Sequence, residues 1–173
     1  IISTNEEIKK IHDSFNEIDI HVKQIVLSNY ASSLAVLNEK ESSLGGICID
    51  IGKTKTFISF TLDNQLIYFE TISLGSYNFT KDLCNVLSID INEAEEIRKK
   101  MDKIDISKEI DKEDINSFKI YESRAEELID LIYYKIQNTK YHALVDNNIV
   151  YTGYGSKSSL VKKIFKKKFN LSN

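Results

Sequence analysis

The sequence predicts an α/β fold in which helices flank a mixed sheet, and three observations support this class. Residues 44–74 contain three apolar runs of strand length, and the last two are separated by the turn dipeptide Asp63-Asn64. Apolar residues recur at helical spacing on both sides of this region, most regularly over residues 118–139. A further apolar run at 148–152 leads through a glycine-containing turn into a final helix.

The composition is that of an ordinary folded protein. The chain has 173 residues, 42% of them hydrophobic and 28% charged, which is enough for one core or two small ones. The net charge of −3 leaves no basic surplus, so we expect no nucleic-acid partner. No apolar run approaches the roughly 18 residues of a membrane span, and the first residues lack the pattern of a signal segment.

Cysteine and histidine give no sign of a metal or redox centre. Cys48 and Cys84 have no metal-binding or redox spacing, so we expect buried thiols in a reducing cytoplasm. His12, His21 and His142 are isolated from one another, which favours surface positions. The chain opens directly on what reads as the end of a strand, so we expect it to be part of a longer protein.

Four elements are predicted before residue 44. A capping box at residues 4–7 opens a helix over about 5–17, and a short strand is expected at 21–28. A helix over about 30–38 follows. The polar residues 38–43 are predicted to be a connector that acts as a hinge.

The three strands of residues 44–74 place a carboxylate in a notable position. Ile47, Ile49 and Ile51 share one face of the first strand, so Asp50 points to the other face near the strand's C-terminal end. A carboxylate beside a turn suits a hydrated metal ion next to a phosphate. The second and third strands are apolar on both faces, which predicts cover on both sides.

The remaining elements are mostly helical. A helix with Phe79 and Leu83 on one face is entered through Gly75-Ser76, and Asn92 with Glu95 predicts a capping box for the next helix. Residues 102–117 alternate charge with isoleucine and are predicted to be exposed edge strands. The final helix, which begins near residue 160, has lysines at 162, 163 and 166–168, either as a solvated face or as a patch for a membrane surface or partner.

Two turns stand out as candidate binding elements. Residues 50–56 follow one strand and residues 152–156 follow another, and both contain glycine together with hydroxyl groups. Glycine is required where backbone approaches a phosphate closely or where φ is positive. Each turn has a plainer interpretation: the first as a hairpin tip with solvated lysines, the second as a helix cap or simple connection.

The order of these stretches resembles the second lobe of actin-like ATPases. The stretches are residues 44–56 (Leu-Gly-Gly-Ile-Cys-Ile-Asp-Ile-Gly-Lys-Thr-Lys-Thr), 75–83 (Gly-Ser-Tyr-Asn-Phe-Thr-Lys-Asp-Leu), 94–98 (Ala-Glu-Glu-Ile-Arg) and 150–155 (Val-Tyr-Thr-Gly-Tyr-Gly). Residues 31–45 and 122–128 look like the bacterial cell-division protein FtsA rather than the rod-shape protein MreB or the chaperone ATPases. The resemblance covers nearly the whole chain.

The resemblance implies an actin-like ATPase lobe with a ribonuclease H-like fold: a mixed sheet with three antiparallel strands, flanking helices and an inserted small subdomain. By similarity, residues 1–43 end the first lobe and form the hinge, residues 44–75 and 146–173 form the core of the second lobe, and residues 76–145 form the inserted subdomain. ATP would lie between the two lobes.

The resemblance also implies the site residues. Asp50 would lie near Mg²⁺ through water, and Arg124 would lie on the helix where FtsA proteins bind the C-terminal peptide of FtsZ. From the residues alone, Arg124 with Glu127 is equally explained as a surface pair, and Glu95 as part of its capping box. The residues expected to contact nucleotide are Asp50, Gly52, Lys53, Thr54, Lys55, Thr56, Gly75, Ser76, Glu95, Arg98, Gly153, Tyr154 and Gly155.

The chain departs from the family pattern at all three nucleotide-facing turns. The family's Gly-Gly-Gly-Thr-Thr is here residues 52–56, Gly-Lys-Thr-Lys-Thr, its Gly-Gly is Gly75-Ser76, and its Thr-Gly-Gly is Thr152-Gly153-Tyr154. Each turn has lost a glycine, and a Cβ against a phosphate costs on the order of 1 kcal/mol or more where the backbone is strained. Lys53 or Lys55 could compensate through charge-assisted contacts.

The function that the resemblance implies is that of a cell-division protein in the divisome. Such a protein would link FtsZ polymers to the inner membrane at the septum, self-associate into actin-like filaments, and use ATP as an assembly or conformational ligand with weak ATPase activity at most. It would work at the cytoplasmic face of the inner membrane, and the family's anchor, a C-terminal amphipathic helix, is not among these residues. The alternatives are an ATP-hydrolysing or phosphotransfer enzyme of the same superfold and a pilus-assembly relative.

Overall fold

The computed structural model describes residues 5–146 and 148–171, and these form an α/β arrangement with one four-stranded sheet. Two short 3-10 helices, His142–Asp146 and Tyr154–Lys157, flank the last strand. The other elements in chain order are α1 (Asn5–Asn16), α2 (Ser28–Val36), α3 (Glu39–Leu44), β1 (Gly46–Ile51), β2 (Thr56–Leu62), β3 (Gln65–Ile72), α4 (Ser76–Leu87), α5 (Ile91–Asp102), α6 (Ile115–Gln137), β4 (Ile149–Thr152) and α7 (Ser159–Lys168).

The sheet is mixed, as predicted. Its strand order is β3-β2-β1-β4, in which β1 to β3 pair antiparallel and β4 pairs parallel with β1. The β2–β3 hairpin turns at Asp63 and Asn64, whose φ angles of 51° and 61° are both in the left-handed region. Two such residues form the turn type that matches the twist of a hairpin, and Asn and Asp tolerate this conformation.

The core lies between the sheet and α6. The predicted face of α6 is buried throughout, and it packs against Ile47, Ile49 and Ile51 of β1. Phe165 of α7 is fully buried in the same cluster. The buried residues on the predicted face of α6 are Tyr121, Ala125, Leu128, Ile129, Ile132 and Ile136.

One expectation about the sheet is only half right. β2 is covered on both sides, since only Phe57 and Leu62 at its ends are partly exposed. β3 is not covered, and Tyr68 and Phe69 are 36% and 39% exposed. The reason is its place at the edge of the sheet, where helices cover less of the strand.

The strand predicted at 21–28 is wrong. These residues form no strand, and α2 already begins at Ser28. Ile25 and Val26 are 42% and 47% exposed, and the described sheet offers them no strand partner. An apolar, β-branched run satisfies a strand pattern but becomes a strand only where a neighbouring backbone pairs with it. The capping box predicted before α1 includes Thr4, which lies outside the described residues.

The polar connector predicted at 38–43 is also wrong, because α3 begins at Glu39, and the action of this segment as a hinge stays a prediction. Asn38 is its N-cap, and the Asn38 side chain accepts a hydrogen bond from the Glu41 amide at 2.9 Å. The Glu41 carboxylate accepts one from the Asn38 amide at 2.8 Å. This reciprocal capping box satisfies two amide donors at the start of a short helix, and the polar residues that suggested a connector are the ones that make it.

Two further predictions in the helical region need correction. The cap of α5 is Asp90, which accepts hydrogen bonds from the amides of Asn92 and Glu93, so Asn92 is inside the helix. Residues 102–117 form turns and the start of α6 in place of edge strands. Lys100 bonds to Asp114 at 2.7 Å across this segment, so its charges are used in local pairing.

The capping box of α3 generates a stability prediction. We expect Asn38→Ala to lower the free energy of unfolding by about 1 kcal/mol, because the Glu41 amide loses its acceptor. Asn38→Asp is the matched control, because its carboxylate keeps an acceptor for the Glu41 amide, and it should leave the free energy of unfolding nearly unchanged. Urea denaturation measures both, and equal values for the two variants would contradict a capping role.

Candidate functional site

The ends of β1 and β4 lie side by side and bring the two predicted turns together. Asp50 of β1 stands opposite Thr152 of β4 in the parallel pairing. The next residue, Gly153, has a φ of +87°, which disfavours any residue with a side chain. A Cβ at Gly153 would collide with the Asp50 carboxylate and stand 2.6 Å from the Ile51 carbonyl oxygen. The second turn is therefore pressed onto the first.

The entry to α4 forms a third wall of the same region. The amides of Ser76 and Tyr77 donate to the carbonyl oxygens of Gly52 and Lys53 at 2.9 and 2.8 Å. A Cβ at Gly75 would stand 2.6 Å from both of those oxygens, so only glycine permits this approach. The three turns in which this chain departs from the family's glycine pattern, at residues 52–56, 75–76 and 152–154, thus converge at one edge of the sheet.

A pocket of about 250 Å³ lies where the turns meet. The pocket is lined by Lys53, Ser76, Tyr77, Glu95, Arg98 and Tyr154. All of these except Tyr77 were predicted from the sequence to face one ligand. Tyr77 could have been found from its position directly after Gly75-Ser76, since the first turn of a helix that opens at a site contributes side chains to it.

The tip of the first turn presents polar groups that the fold does not use. Lys53, Thr54 and Lys55 are exposed, and Thr54 makes no hydrogen bond within the described chain. Neither lysine takes part in an ion pair there, although the Lys53 ammonium lies 5.6 Å from the centre of the Tyr77 ring. Two free ammonium groups, a hydroxyl and exposed amides fit an anion such as a phosphate.

Asp50 is half-buried and already has one partner. The Ser32 hydroxyl of α2 donates to the Asp50 carboxylate at 2.7 Å, which holds the side chain in place. The described residues contain no group of three or more His, Cys, Asp or Glu side chains that could hold a metal ion. One oriented carboxylate beside a phosphate-binding turn fits Mg²⁺, which keeps several waters and shares its remaining ligands with phosphate.

Glu95 and Arg98 form the most strongly organised part of the pocket. The Arg98 guanidinium is 3% exposed and contacts Glu95 through Nη2 at 2.8 Å, while its Nη1 pairs with Asp102. The Thr80 hydroxyl also donates to Glu95, at 2.6 Å. These hydrogen bonds, first that of Arg98 and then that of Thr80, lower the pKa of Glu95 to about 2.

Arg98 stays charged despite its burial. Burial by itself would lower the pKa of Arg98, but hydrogen bonds with Glu95 and Tyr154 and the charges of Asp102 and Glu95 outweigh it and raise the pKa. The guanidinium also lies 5.2 Å from the centre of the Tyr154 ring. Glu95 is thus an organising partner of Arg98, and the capping-box explanation for Glu95 is excluded because Asp90 caps α5.

Two tyrosines with nearby cations flank the pocket. Tyr154, which stands where the family has a glycine, is 49% exposed and has Lys157 at 5.5 Å on its ring in addition to Arg98. Tyr77 has Lys81 at 5.2 Å in addition to Lys53. The face of an aromatic ring attracts cations, so each tyrosine holds two positively charged side chains near the mouth of the pocket.

The side chain of one predicted residue, Thr56, is not available to a ligand. Thr56 is fully buried, and its hydroxyl donates to the Leu74 carbonyl oxygen at 2.8 Å, which ties β2 to the end of the hairpin. Gly155 packs directly against the side chain of Ile51. Thr56 therefore supports the first turn through its buried side chain, and the ligand contact of the half-buried Gly155 backbone stays a prediction. Ser32 and Thr80 hold Asp50 and Glu95, yet nothing in the sequence singled them out.

Arg124 lies on α6 and does not line this pocket. Its guanidinium pairs with Asp82 of α4 through Nε and through Nη2, the latter at 2.9 Å, and with Glu127 one turn along α6. The pair with Glu127 is the surface pair that the sequence spacing suggested. The pair with Asp82 was not predicted, and it connects α6 to α4. Arg124 is partly exposed at the α4–α6 boundary.

The fold is actin-like, as its likeness to solved structures shows. The chain is similar to MreB 5 of Spiroplasma citri bound to AMPPNP, with a TM-score of 0.78 at 18% identity, over 98% of this chain and 59% of that one. It is also similar to a chain of the PilM-PilN type IV pilus biogenesis complex, with a TM-score of 0.70 at 13% identity, over 97% of this chain and 46% of that one.

Sequence comparison identifies the family. The family model described as cell division protein FtsA matches residues 47–171. Cell division protein FtsA of Rhizobium meliloti is 29% identical over 169 residues, covering 86% of this chain and 38% of the relative. Cell division protein FtsA of Buchnera aphidicola subsp. Acyrthosiphon pisum is 30% identical over 193 residues, covering 95% of this chain and 46% of the relative. The chain therefore belongs to the family of the cell division protein FtsA.

The match is to a part of these relatives. The chain spans 38% of the length of the Rhizobium meliloti protein and 46% of the Buchnera protein. No helix in residues 5–146 and 148–171 combines the length and apolar character needed to cross a membrane.

The ion pair of Glu95 with Arg98 generates a pH prediction. Because the pKa of Glu95 falls from 4.5 to about 2 on folding, its contribution to stability is present above about pH 4.5 and is lost as pH falls toward 2. We expect the difference in unfolding free energy between the wild type and Glu95→Gln to shrink over that window. Urea denaturation at successive pH values measures it.

The matched baseline for this experiment is Glu96→Gln, which changes an exposed carboxylate on the same helix. A difference for Glu95→Gln that stays constant between pH 5 and about 2.5 would contradict the stabilised carboxylate.

Proposed function

We propose that this chain is the nucleotide-binding second lobe of an FtsA-type division protein that links FtsZ polymers to the inner membrane. One observation carries the proposal: the turns after Asp50, before Ser76 and after Thr152 converge on a single pocket. Such convergence is what a cleft for a phosphate-bearing ligand requires, since backbone and cations must approach the same anion. The FtsA-family membership of the chain gives that cleft its biological setting.

In this proposal the pocket holds ATP, with Mg²⁺ beside Asp50. The MreB 5 structure similar to this chain was solved bound to AMPPNP, which supports an ATP-type ligand. Lys53, Thr54 and Lys55 would contact phosphate oxygens, and Asp50 would hold waters of the metal ion. Arg98 and Glu95 would contact the nucleoside together with Tyr154. Mg²⁺ would neutralise phosphate charge at this edge of the sheet.

The changed glycines alter how the phosphate would be bound. The amides that begin α4 are occupied by the carbonyl oxygens of Gly52 and Lys53, so they are not free to cradle a phosphate. The exposed ammonium groups of Lys53 and Lys55 supply the positive charge in their place. Binding that relies on flexible lysines is more sensitive to salt than binding by backbone amides, because exposed charges are screened.

The pocket supports a ligand role for ATP more than an enzymatic one. A hydrolase needs a group that positions or activates the attacking water. Glu95 is committed to Arg98 and Thr80 and its pKa is about 2, which suits an organising carboxylate and not a base. We therefore infer that ATP acts in assembly or conformation, with slow turnover at most.

The cellular role follows from the family. We propose that the protein self-associates into actin-like filaments, binds the FtsZ C-terminal peptide through the Arg124 region, and works at the cytoplasmic face of the inner membrane. Its membrane contact would come from a segment outside these residues. Residues 76–145 would be the inserted subdomain, which is supported by the mutual packing of α4, α5 and α6.

Nucleotide binding is tested by calorimetric titration of MgATP. We expect the chain alone to bind weakly, with a dissociation constant at or above about 100 µM, because an actin-like cleft takes its other wall from a first lobe. Lys53→Ala should weaken binding about tenfold by removing one charge-assisted contact. Lys40→Ala on α3 is the matched control, since Lys40 is an exposed lysine outside the pocket. Submicromolar binding, or no effect of Lys53→Ala, would count against the proposal.

The Arg124 role is tested with the FtsZ C-terminal peptide. We expect Arg124→Ala to weaken peptide binding measured by fluorescence anisotropy, and Asp82→Ala to leave binding intact because it keeps the guanidinium. Both variants break the same ion pair, so both should lower the melting temperature by a similar small amount. Equal peptide binding by the two variants and the wild type would assign Arg124 a structural role.

Co-sedimentation with FtsZ separates the division role from the alternatives. Absence of binding at tens of micromolar, about the strength of a weak peptide contact, would favour the pilus-assembly relative, whose fold is also similar. Sustained turnover with a small phosphate acceptor would favour the enzyme of the same superfold.

A further inference from the structure

A second recess lies between α6 and α7, outside the nucleotide pocket. It has a volume of about 590 Å³, and we call it the charged groove. Leu160 and Ile164 of α7 form its apolar floor, with Leu160 buried and Ile164 half-buried. The α6 side carries three acidic residues four apart, Glu122, Glu126 and Asp130, and the α7 side carries Lys163, Lys167 and Lys168.

The two charged ridges run in the same direction. The end of α7 meets the middle of α6, where Lys168 pairs with Asp130 at 2.7 Å and Phe169 packs on Tyr133. The beginning of α7 meets an earlier part of α6, since Leu160 and Glu122 line the same groove. Positions four residues apart lie on one side of a helix, so each ridge is a continuous row of one charge.

Most of these charges have no partner within the molecule. Lys168 and Asp130 close one end of the groove, and Lys168 also lies 5.0 Å from the centre of the Tyr133 ring. In the described part of the chain, Glu122, Glu126, Lys163 and Lys167 form no ion pair. Apart from the Lys168–Asp130 pair, an acidic row and a basic row therefore face solvent on either side of an apolar strip without pairing with each other.

We propose that the charged groove is a contact between two copies of this chain, related by a two-fold axis that runs along the groove. This rotation places the acidic ridge of each copy over the basic ridge of the other, so that Glu126 meets the Lys163 of the second copy and the reverse contact forms at the same time. The apolar floors then face each other at the centre. Rotation about an axis across the groove would instead bring like charges together.

The charge pattern favours a second copy over other occupants. A polyanion such as nucleic acid or an acidic membrane surface would be attracted by the lysines but repelled by the glutamate row beside them. A second copy satisfies both rows with one rigid surface. A two-fold contact uses the same patch on each subunit and closes on itself, so it is distinct from the head-to-tail contact of a filament.

Charge-swap variants test this contact by analytical ultracentrifugation without nucleotide. The wild type should dimerise reversibly, and dimerisation should weaken at least about fivefold between 50 mM and about 500 mM salt. Glu126→Lys alone presents lysine on both ridges, and Lys163→Glu alone presents glutamate on both. Each single variant should therefore associate at least about tenfold more weakly than the wild type.

The decisive sample is an equimolar mixture of the two single variants. In the mixture each Glu126→Lys copy faces a Lys163→Glu copy with opposite charges at both positions, so dimerisation should return. The double variant, which exchanges the two charges within one chain, should also dimerise. Lys40→Glu on α3 is the control and should behave as the wild type.

Four results would overturn the proposal. One is a wild type that remains monomeric at millimolar concentration. Another is a dimer that both single variants leave unchanged, because a different surface would then mediate it. The third is a mixture that stays monomeric while circular dichroism shows both variants folded. Stronger binding of the wild type to anionic vesicles than to itself would also reassign the lysine ridge to a lipid surface.

Discussion

The parallel pairing of β1 with β4 is the constraint on which the site depends. It aligns Asp50 with Thr152, and the chain can leave β4 only through Gly153 at a φ of +87° because the Asp50 carboxylate and the Ile51 carbonyl occupy the space of a side chain. Two turns separated by about a hundred residues of sequence are thereby fixed against each other. The amides that open α4 then bond to the carbonyl oxygens of Gly52 and Lys53, which adds the third wall.

Within this frame the pocket combines a rigid side with an adaptable one. Arg98 is nearly inaccessible and is paired on one side with Glu95 and on the other with Asp102, so losing either carboxylate would leave a buried charge partly unpaired. The opposite side consists of exposed Lys53 and Lys55, whose positions the fold does not fix. A glycine-rich phosphate loop has the reverse character, because its backbone amides are fixed and carry no net charge. In the first turn, Lys53 and Lys55 therefore place exposed cations where the family pattern has glycine and threonine.

The sequence predicted the features that depend on local periodicity. The β2–β3 hairpin and the buried face of α6 follow from alternating strands, an Asp-Asn turn and apolar residues at helical spacing. The failures occurred where a pattern fits several structures: residues 21–28 are apolar but have no strand to pair with, and residues 102–117 use their charges in turns. Asp50 could be found because the alternation within its strand places it opposite Ile49 and Ile51, near the strand's C-terminal end. Ser32 and Thr80 could not, because their partners lie 18 and 15 residues away and only the tertiary fold brings them together.

Helix α6 connects the two functional surfaces through buried contacts. Tyr121, near the start of α6, donates a hydrogen bond at 2.5 Å to Asp102. Asp102 is the second partner of Arg98, so this hydrogen bond links α6 to the pocket. Burial raises the pKa of the Tyr121 hydroxyl, as does the neighbouring Asp102, so it remains a donor throughout the physiological pH range. The acidic ridge of the charged groove lies along the same helix, at positions one, five and nine residues after Tyr121. The acidic ridge and the hydroxyl that bonds to Asp102 are therefore carried by one helix, whose inner face is buried in the core.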